Sequence, residues 1–403
     1  MVRIGGLVPL VMCFATSTAG AEPETQPITD SNYSIELYDG VALGNTAVVG
    51  MGGATVALAI GTSGTLFNPS APAVKPTTDT DTWSWDYHID YLNGSLSTDY
   101  DNNGFTSETG TSVLTLGFGL RFGEWAGAIT ATNQFVPVAD AMYTLPGGEM
   151  VPLQASVLRV QLAFARWVKR IDTAIGISGQ LAQFGLAPDC TEAGTAEGCE
   201  PLFNVNGTGF ELGATWAPRQ QSFRIGAALA TPIAGGNVSG CDPMDCVGWV
   251  LPESVVSPWR LAVGGAYRFS DSHWNQLVGG YFRDEKSVTV AADVIITGSS
   301  ENAFGLEKFG DSMLQRSGRH TSIGLRGGVE YEWLPGRLRI RGGSYWEPGR
   351  FVGVSGRLHG TFGIEVRVFQ FWFWGTLRRG RISLTTDFAE RYRNGGLSVG
   401  FWH

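Results

Sequence analysis

From Trp83 to Tyr91 the chain alternates without a break: Trp83, Trp85, Tyr87, Ile89 and Tyr91 fall on one side, Ser84, Asp86, His88 and Asp90 on the other. Side chains of a strand point to opposite faces with period two, so one face of this segment meets an apolar surround and the other meets water. The pattern recurs at Leu114 to Phe122, where apolar residues alternate with Thr115, Gly117, Gly119 and Arg121, and at Leu158 to Phe164. Further strands are expected at Trp125 to Val138, Thr173 to Gly185, Leu202 to Trp216, Phe223 to Gly235, Pro258 to Phe269, Val288 to Ile296, Thr321 to Trp333, Leu338 to Trp346, His359 to Phe371, Arg381 to Ala389 and Leu397 to Trp402. The total is about 14, an even number of the kind found in bacterial barrels.

Nowhere does the chain reach the ~18 consecutive apolar residues of a membrane-spanning helix. The longest apolar run, Ala47 to Ile60, is 14 residues and is interrupted by three glycines. Only helices and closed barrels satisfy every backbone group in lipid, so a membrane location requires a barrel. The connections support one. Gly123-Glu124, Lys169 to Asp172, Ala217 to Ser222 and Leu334 to Arg337 are short; Asn93 to Gly110, Ala139 to Gln154, Pro188 to Pro201, Gly236 to Ser257 and Ser299 to His320 are long. Alternating short turns and long loops are the asymmetry of an outer-membrane barrel. Ser270 to Ser287 is a long connection where a short one is due, and the unbroken aromatics Phe369 to Trp374 suit a girdle at the membrane interface.

Met1 to Ala21 carries Arg3, a short apolar stretch and Ala19-Gly20-Ala21, the form of a secretory signal peptide, so residues 1–21 are expected to be removed. Of the five cysteines, Cys13 goes with that segment. Cys190 with Cys199 and Cys241 with Cys246 then lie pairwise within two long loops. In an exported protein they read as disulfides, local pairing being the simplest of three connectivities. A metal reading would require nearby histidine, and neither loop has one.

The 403 residues carry a net charge of −9, which leaves no basic face for nucleic acid. His88, His273, His320, His359 and His403 show no metal-ligand spacing. Gly396-Leu397-Ser398-Val399-Gly400 has the letters of a nucleophile elbow, but only three residues follow where an Asp and a His are needed. No phosphate loop, dinucleotide fingerprint or catalytic carboxylate pair stands out, so neither an enzyme nor a cofactor is expected.

Before the first strand lie Leu43-Gly44-Asn45, Gly50-Met51-Gly52-Gly53-Ala54 and Phe67-Asn68-Pro69-Ser70. Such a compact, apolar, glycine-rich stretch fits a plug folded into a lumen, with Asn-Pro ending a short helix. This segment resembles the N-terminal hatch of the FadL/TodX family, outer-membrane channels for long-chain fatty acids and other hydrophobic compounds. Gly50 to Ala54 matches the family's glycine-rich run, and Asn68-Pro69-Ser70 its Asn-Pro-Ala element with Ser70 in place of Ala. Trp125 to Thr130 with Asn133, Leu251-Pro252-Glu253 and Arg339 to Tyr345 followed by Glu347-Pro348 continue the likeness in order.

The resemblance implies three segments: the signal peptide at 1–21, an N-terminal extension and hatch at 22–80, and a transmembrane antiparallel β-barrel at 81–403. It implies hatch residues Gly50, Gly52, Gly53, Asn68 and Pro69, and a lateral opening in the third strand at Asn133, Gln134, Phe135 and Pro137. Gln183 stands where some members place a basic carboxylate contact, which leaves Arg339 and Arg341, sharing one face, as the substitutes. The expected partners are a hydrophobic small molecule, outer-membrane lipid and lipopolysaccharide. The assembly machinery joins them through the alternating last strand Leu397, Val399, Phe401, although His403 is not the usual aromatic end. A general porin, or a structural or scaffold barrel, is the alternative reading.

Overall fold

The computed structural model describes residues 24–402 apart from 59, 76–80, 95–97, 107–109, 191–197, 279–281 and 374–375. The expected signal peptide, the end of the 22–80 segment, Trp374 and His403 lie outside the described residues, as does the side chain of Pro137.

Fourteen strands close an antiparallel barrel: Trp83–Gly94, Ser112–Phe122, Trp125–Thr144, Met150–Val168, Thr173–Pro188, Phe203–Trp216, Phe223–Ala230 continued by Ile233–Ser239, Ser254–Ser257 continued by Arg260–Phe269, Ser287–Thr297, Ser322–Leu334, Leu338–Glu347, Arg357–Phe373, Thr376–Ala389 and Tyr392–Phe401. Each pairs with the next, and the last returns to the first, Asn394 opposite Gly94 through Gly400 opposite His88. The strand count and type are those expected from the alternation. The expected loop Ala139 to Gln154 is instead a continued hairpin, Met142 to Thr144 pairing with Pro152 to Met150 beyond a register shift.

The wall inverts the usual partition of side chains. Outward residues such as Ile89, Phe118, Leu162, Ile177 and Leu212 are exposed, while inward His88, Asp90, Thr115, Gln161, Ser178 and Glu211 are buried. In water so large an apolar surface would aggregate; against hydrocarbon it is matched. Phe122, Trp125, Trp216, Phe269, Trp333, Phe369 and Trp372 ring the end that carries the short turns, Trp372 being 71% exposed. The aromatic run at Phe369 is therefore part of a girdle.

The inner face is not simply wet, as the alternation alone implies. Chain 24–75 runs through the lumen from one end to the other. Thr25–Pro27 pairs with Met313–Gln315, and Ser34–Glu36 runs parallel between Ser254–Ser257 and Ala303–Phe304. All three partners stand at the end that carries the long loops, here the loop end. Tyr33, Ile35 and Leu37 pack there with Val136, Phe184, Phe203, Val255 and Phe309 as an apolar core inside the barrel. The chain then descends through the helix Thr46–Gly50 and three short 3-10 turns toward Trp83 at the opposite, turn end.

Candidate functional site

The hatch is held at mid-lumen by the polar residues of the wall's inner face. Asn45 caps the helix Thr46–Gly50, its side chain accepting from the Val48 N–H at 3.0 Å, and Asp90 accepts from the Thr46 N–H at 3.0 Å. Asp293 accepts from the Thr55 and Val56 N–H groups at 2.7 and 2.9 Å. Asp86 accepts from the Thr62 N–H at 2.7 Å, and the Thr62 hydroxyl meets His88 Nδ1 at 2.9 Å. Orphaned N–H groups of an irregular segment thus find carboxylates, the short, charge-assisted kind of hydrogen bond. The Ser84, Asp86, His88, Asp90 face of the first strand is the hatch's seat.

Asn68 ties the hatch to itself and to the wall. Its Nδ2 donates to the Val56 carbonyl at 2.9 Å and the Thr215 hydroxyl at 3.1 Å, and its Oδ1 accepts from the Ser70 N–H at 3.0 Å. Pro69 lies on Gly176 and Gly213 of the wall, so closely that a Cβ on either would overlap it or Asn68. Gly52 and Gly53 adopt φ +59° and +74°, a left-handed conformation that other residues resist. Gly50 has no such demand; it packs against Arg341 and Gly363.

Above the hatch, toward the loop end, lies an open cavity of about 1030 Å³. Leu37, Val41, Val136, Ile295, Trp346 and Phe351 supply its apolar lining. Its charged lining is acidic: Glu36, Asp39, Asp101, Glu307 and Glu347 against Arg326 and Arg350. Most are paired. Arg350 Nη2 reaches Glu36 at 2.6 Å, Arg260 Nη1 reaches Asp39 at 3.0 Å, and Arg357 Nε reaches Glu347 at 2.6 Å. Arg326 faces no carboxylate within ion-pair distance among the described residues; its contacts are the Gly53 carbonyl at 3.5 Å and the Phe67 ring at 5.7 Å. In the loops above, burial and Asp99 push the Glu307 carboxyl up to about 8.

Beside this cavity the wall is interrupted. The seventh and eighth strands pair from Tyr267 opposite Phe223 to Arg260 opposite Ala230, and again from Ser257 opposite Ile233, but Thr231-Pro232 and Pro258-Trp259 between them make no ladder pair. Two prolines facing one another, both without an N–H, break the ladder from each side. A cavity of about 630 Å³ reaches this gap, lined by Asp39, Phe67, Arg159, Thr231, Pro258 and Arg260, and shares Asp39 and Pro258 with the larger one. At the expected opening Asn133, Gln134 and Phe135 pair with both neighbouring strands, Pro137 pairs with Gln154, and 138–141 make no ladder pair. The third strand shifts register only between Pro137 and Met142.

Below the hatch, toward the turn end, is a second cavity of about 1020 Å³. Arg339 and Arg341 point inward as expected but lie on this side, where glutamates occupy them. Arg341 meets Glu330 at 2.7 Å and Glu365 at 3.0 Å; Arg339 meets Glu332 at 3.2 Å and Glu365 at 3.4 Å. Glu330, Glu332 and Glu365 were missed in the sequence, although Glu330-x-Glu332 and Arg339-x-Arg341 straddle one short turn that sets each acid opposite an arginine. Gln183 shares the outer face of Ile175, Ile177 and Leu181; the lumen side there is Ala182 and Phe184. The long connection after Phe269 folds under the barrel, bringing Trp274 against Leu58 of the hatch. Both cysteine pairs are closed as disulfides, Cys190–Cys199 and Cys241–Cys246.

The fold and its contents define a class: a fourteen-strand transmembrane barrel plugged by its own N-terminal segment. This is the fold of the FadL/TodX channels. A TodX monoaromatic hydrocarbon channel with a deletion in S2 and S3 aligns with TM-score 0.53 and 13% identity, over 89% of this chain and 98% of that one. The toluene transporter TodX of P. putida aligns with TM-score 0.52 and 12% identity over 90% and 98%, and the monoaromatic hydrocarbon channel CymD with 0.51 and 13% over 91% and 97%. No protein-family model and no curated protein matches the sequence.

Proposed function

We propose that this chain is an outer-membrane channel for passive uptake of hydrophobic small molecules, long-chain fatty acids among them. Its short turns then face the periplasm and its long loops the outside, as in outer-membrane barrels generally. Outer-membrane lipid and lipopolysaccharide surround the apolar wall, and residues 1–21 are removed on export. The observation that carries the reading is the apolar cavity above the hatch, continuous with a gap in the wall.

A ligand enters among the loops and exchanges water for the surface of Leu37, Val136, Trp346 and Phe351, a transfer worth roughly 25 cal/mol per Å² of apolar area. The hatch, pinned at Asp86, Asp90, Asp293 and Asn68, blocks the straight way down. The ligand moves sideways past Phe67 and leaves through the break at Thr231-Pro232 and Pro258-Trp259, which takes the role first expected of Asn133 to Pro137. Arg326 replaces Arg339 and Arg341 as the contact for a carboxylate head, because it is the guanidinium of this cavity not already held by an acid. The work proposed is binding and passage.

The test is uptake of oleate and of toluene by bacteria lacking their own long-chain fatty-acid channel, with and without this protein in the outer membrane. Restored uptake of either compound is the expected result. A folded, membrane-inserted protein that admits only small hydrophilic solutes would replace this reading with that of a general porin.

A further inference from the structure

We propose that the cavity beneath the hatch is a separate binding site for an amphiphile with a carboxylate head, centred on Arg224. Lys75, Arg224, Arg268, Arg283, Arg339, Arg341 and Arg379 line it against Glu285, Glu330 and Glu332. Most of these cations have a carboxylate: Arg341 and Arg339 as described, Arg379 on Asp284 at 2.5 and 2.8 Å, Arg283 beside Glu285 at 3.6 Å. Arg224 has none. Its Nε donates to Asn275 Oδ1 at 2.8 Å and its Nη1 to the Leu58 carbonyl at 2.9 Å, both uncharged acceptors.

A guanidinium that is only 6% exposed and lacks a counter-ion is costly unless its surroundings hold the charge for a purpose. Here they hold it in place. Both guanidiniums pack on the Trp274 ring, Arg224 at 4.0 Å and Arg268 at 4.8 Å from its centre, and Arg268 has only a 3.9 Å approach to Glu330. Nε and Nη1 of Arg224 are occupied, and its Nη2, which carries no bond among the described residues, is the group left to meet a carboxylate oxygen.

The tail has its own surface. Met51, Leu58, Ile60, Phe282 and Trp402 line the same cavity, so a head at Arg224 leaves an alkyl or aryl chain among apolar side chains. A neighbouring cavity at the turn-end rim shares Val74, Lys75 and Arg224, which opens the site away from the hatch. A single anionic head and an apolar tail match this lining; a neutral hydrocarbon uses only half of it. The inference rests on the uptake reading only for where the ligand comes from, since the site is built whether or not ligand arrives from above.

The test titrates purified mature protein, in non-ionic detergent at pH 8, with dodecanoate and with dodecanol by calorimetry. R224Q should weaken dodecanoate binding tenfold or more at one site and leave dodecanol within twofold, while R326Q should leave that site unchanged. In parallel, 12-bromododecanoate should quench tryptophan fluorescence in wild-type protein, and W274F should remove that component; this measurement decides the matter if R224Q does not fold. Folded R224Q that binds dodecanoate as wild type does, or quenching identical in W274F, would overturn the site. Failure of cells to take up oleate would bear on the transport reading alone, because the titration needs no transport.

Discussion

The cavities above and below the hatch are nearly equal in size, and each contains one arginine that no carboxylate holds among the described residues, Arg326 above and Arg224 below. They differ in what surrounds that arginine. Above, five acids and two arginines line a surface built largely from residues 36–41 and the loops; below, seven cations and three acids line a surface built from the hatch, the wall and the connection that folds beneath it. The hatch separates two chemical environments as well as two spaces, and its carboxylate anchors, Asp86, Asp90 and Asp293, are spent on its own backbone.

The largest effect on this contrast should come from Glu365, which meets Arg339, Arg341 and Arg381. E365Q leaves three buried guanidiniums short of an acid, at a cost of about 3–5 kcal/mol. The lower cavity becomes still more basic, and the temperature at which the folded band is lost on unheated gels should fall clearly. N68A should come next. It removes the hatch's ties to Val56, Thr215 and Ser70, worth about 2–3 kcal/mol together at roughly 1 kcal/mol each. The two cavities should then communicate, seen as new sensitivity of cells to small hydrophilic antibiotics and faster exchange of hatch amides; unchanged permeability would remove Asn68 from that role.

R326Q should be smaller and selective: about tenfold weaker binding of oleate, or about 1.4 kcal/mol, with toluene unaffected. The smallest effect is on pH. The Glu307 carboxyl sits above its usual value, so its neutral form favours the folded loops: the contribution is complete below pH 4.5 and is lost as pH rises through about 8. Amide exchange at 98–106 and 306–310 should accelerate over that window, and E307Q should flatten the dependence.

The wall was legible because period-two alternation is a local signal, and Trp83 to Tyr91 shows both faces within nine residues. What the inner face touches was not. Asp86 and Asp90 read as water-facing because the hatch amides that they accept from are irregular backbone with no pattern of their own. The strands Thr25–Pro27 and Ser34–Glu36 are too short for periodicity, and their partners lie in loops. Pro232 and Pro258 are each visible in the sequence, but that they face one another is a fact of register. The pairing of Arg339 and Arg341 with Glu330 and Glu332, by contrast, could have been counted across the turn Leu334 to Arg337. Gln183 was placed by resemblance, and the face on which it lies overrules that.

The leader's passage down the lumen also has a consequence in time. Its strands are fastened at the loop end, yet it joins the first wall strand at the turn end, so the chain threads the space that the later strands enclose. The ring is completed only when Asn394 to Gly400 meet Gly94 to His88, a seam of seven residue pairs. The thread is joined covalently to the tube at one end, before Trp83, and is held at the other by ladders of two or three residues. Sewing up the tube and filling it are therefore separate events, and the plugged cylinder is complete only after both.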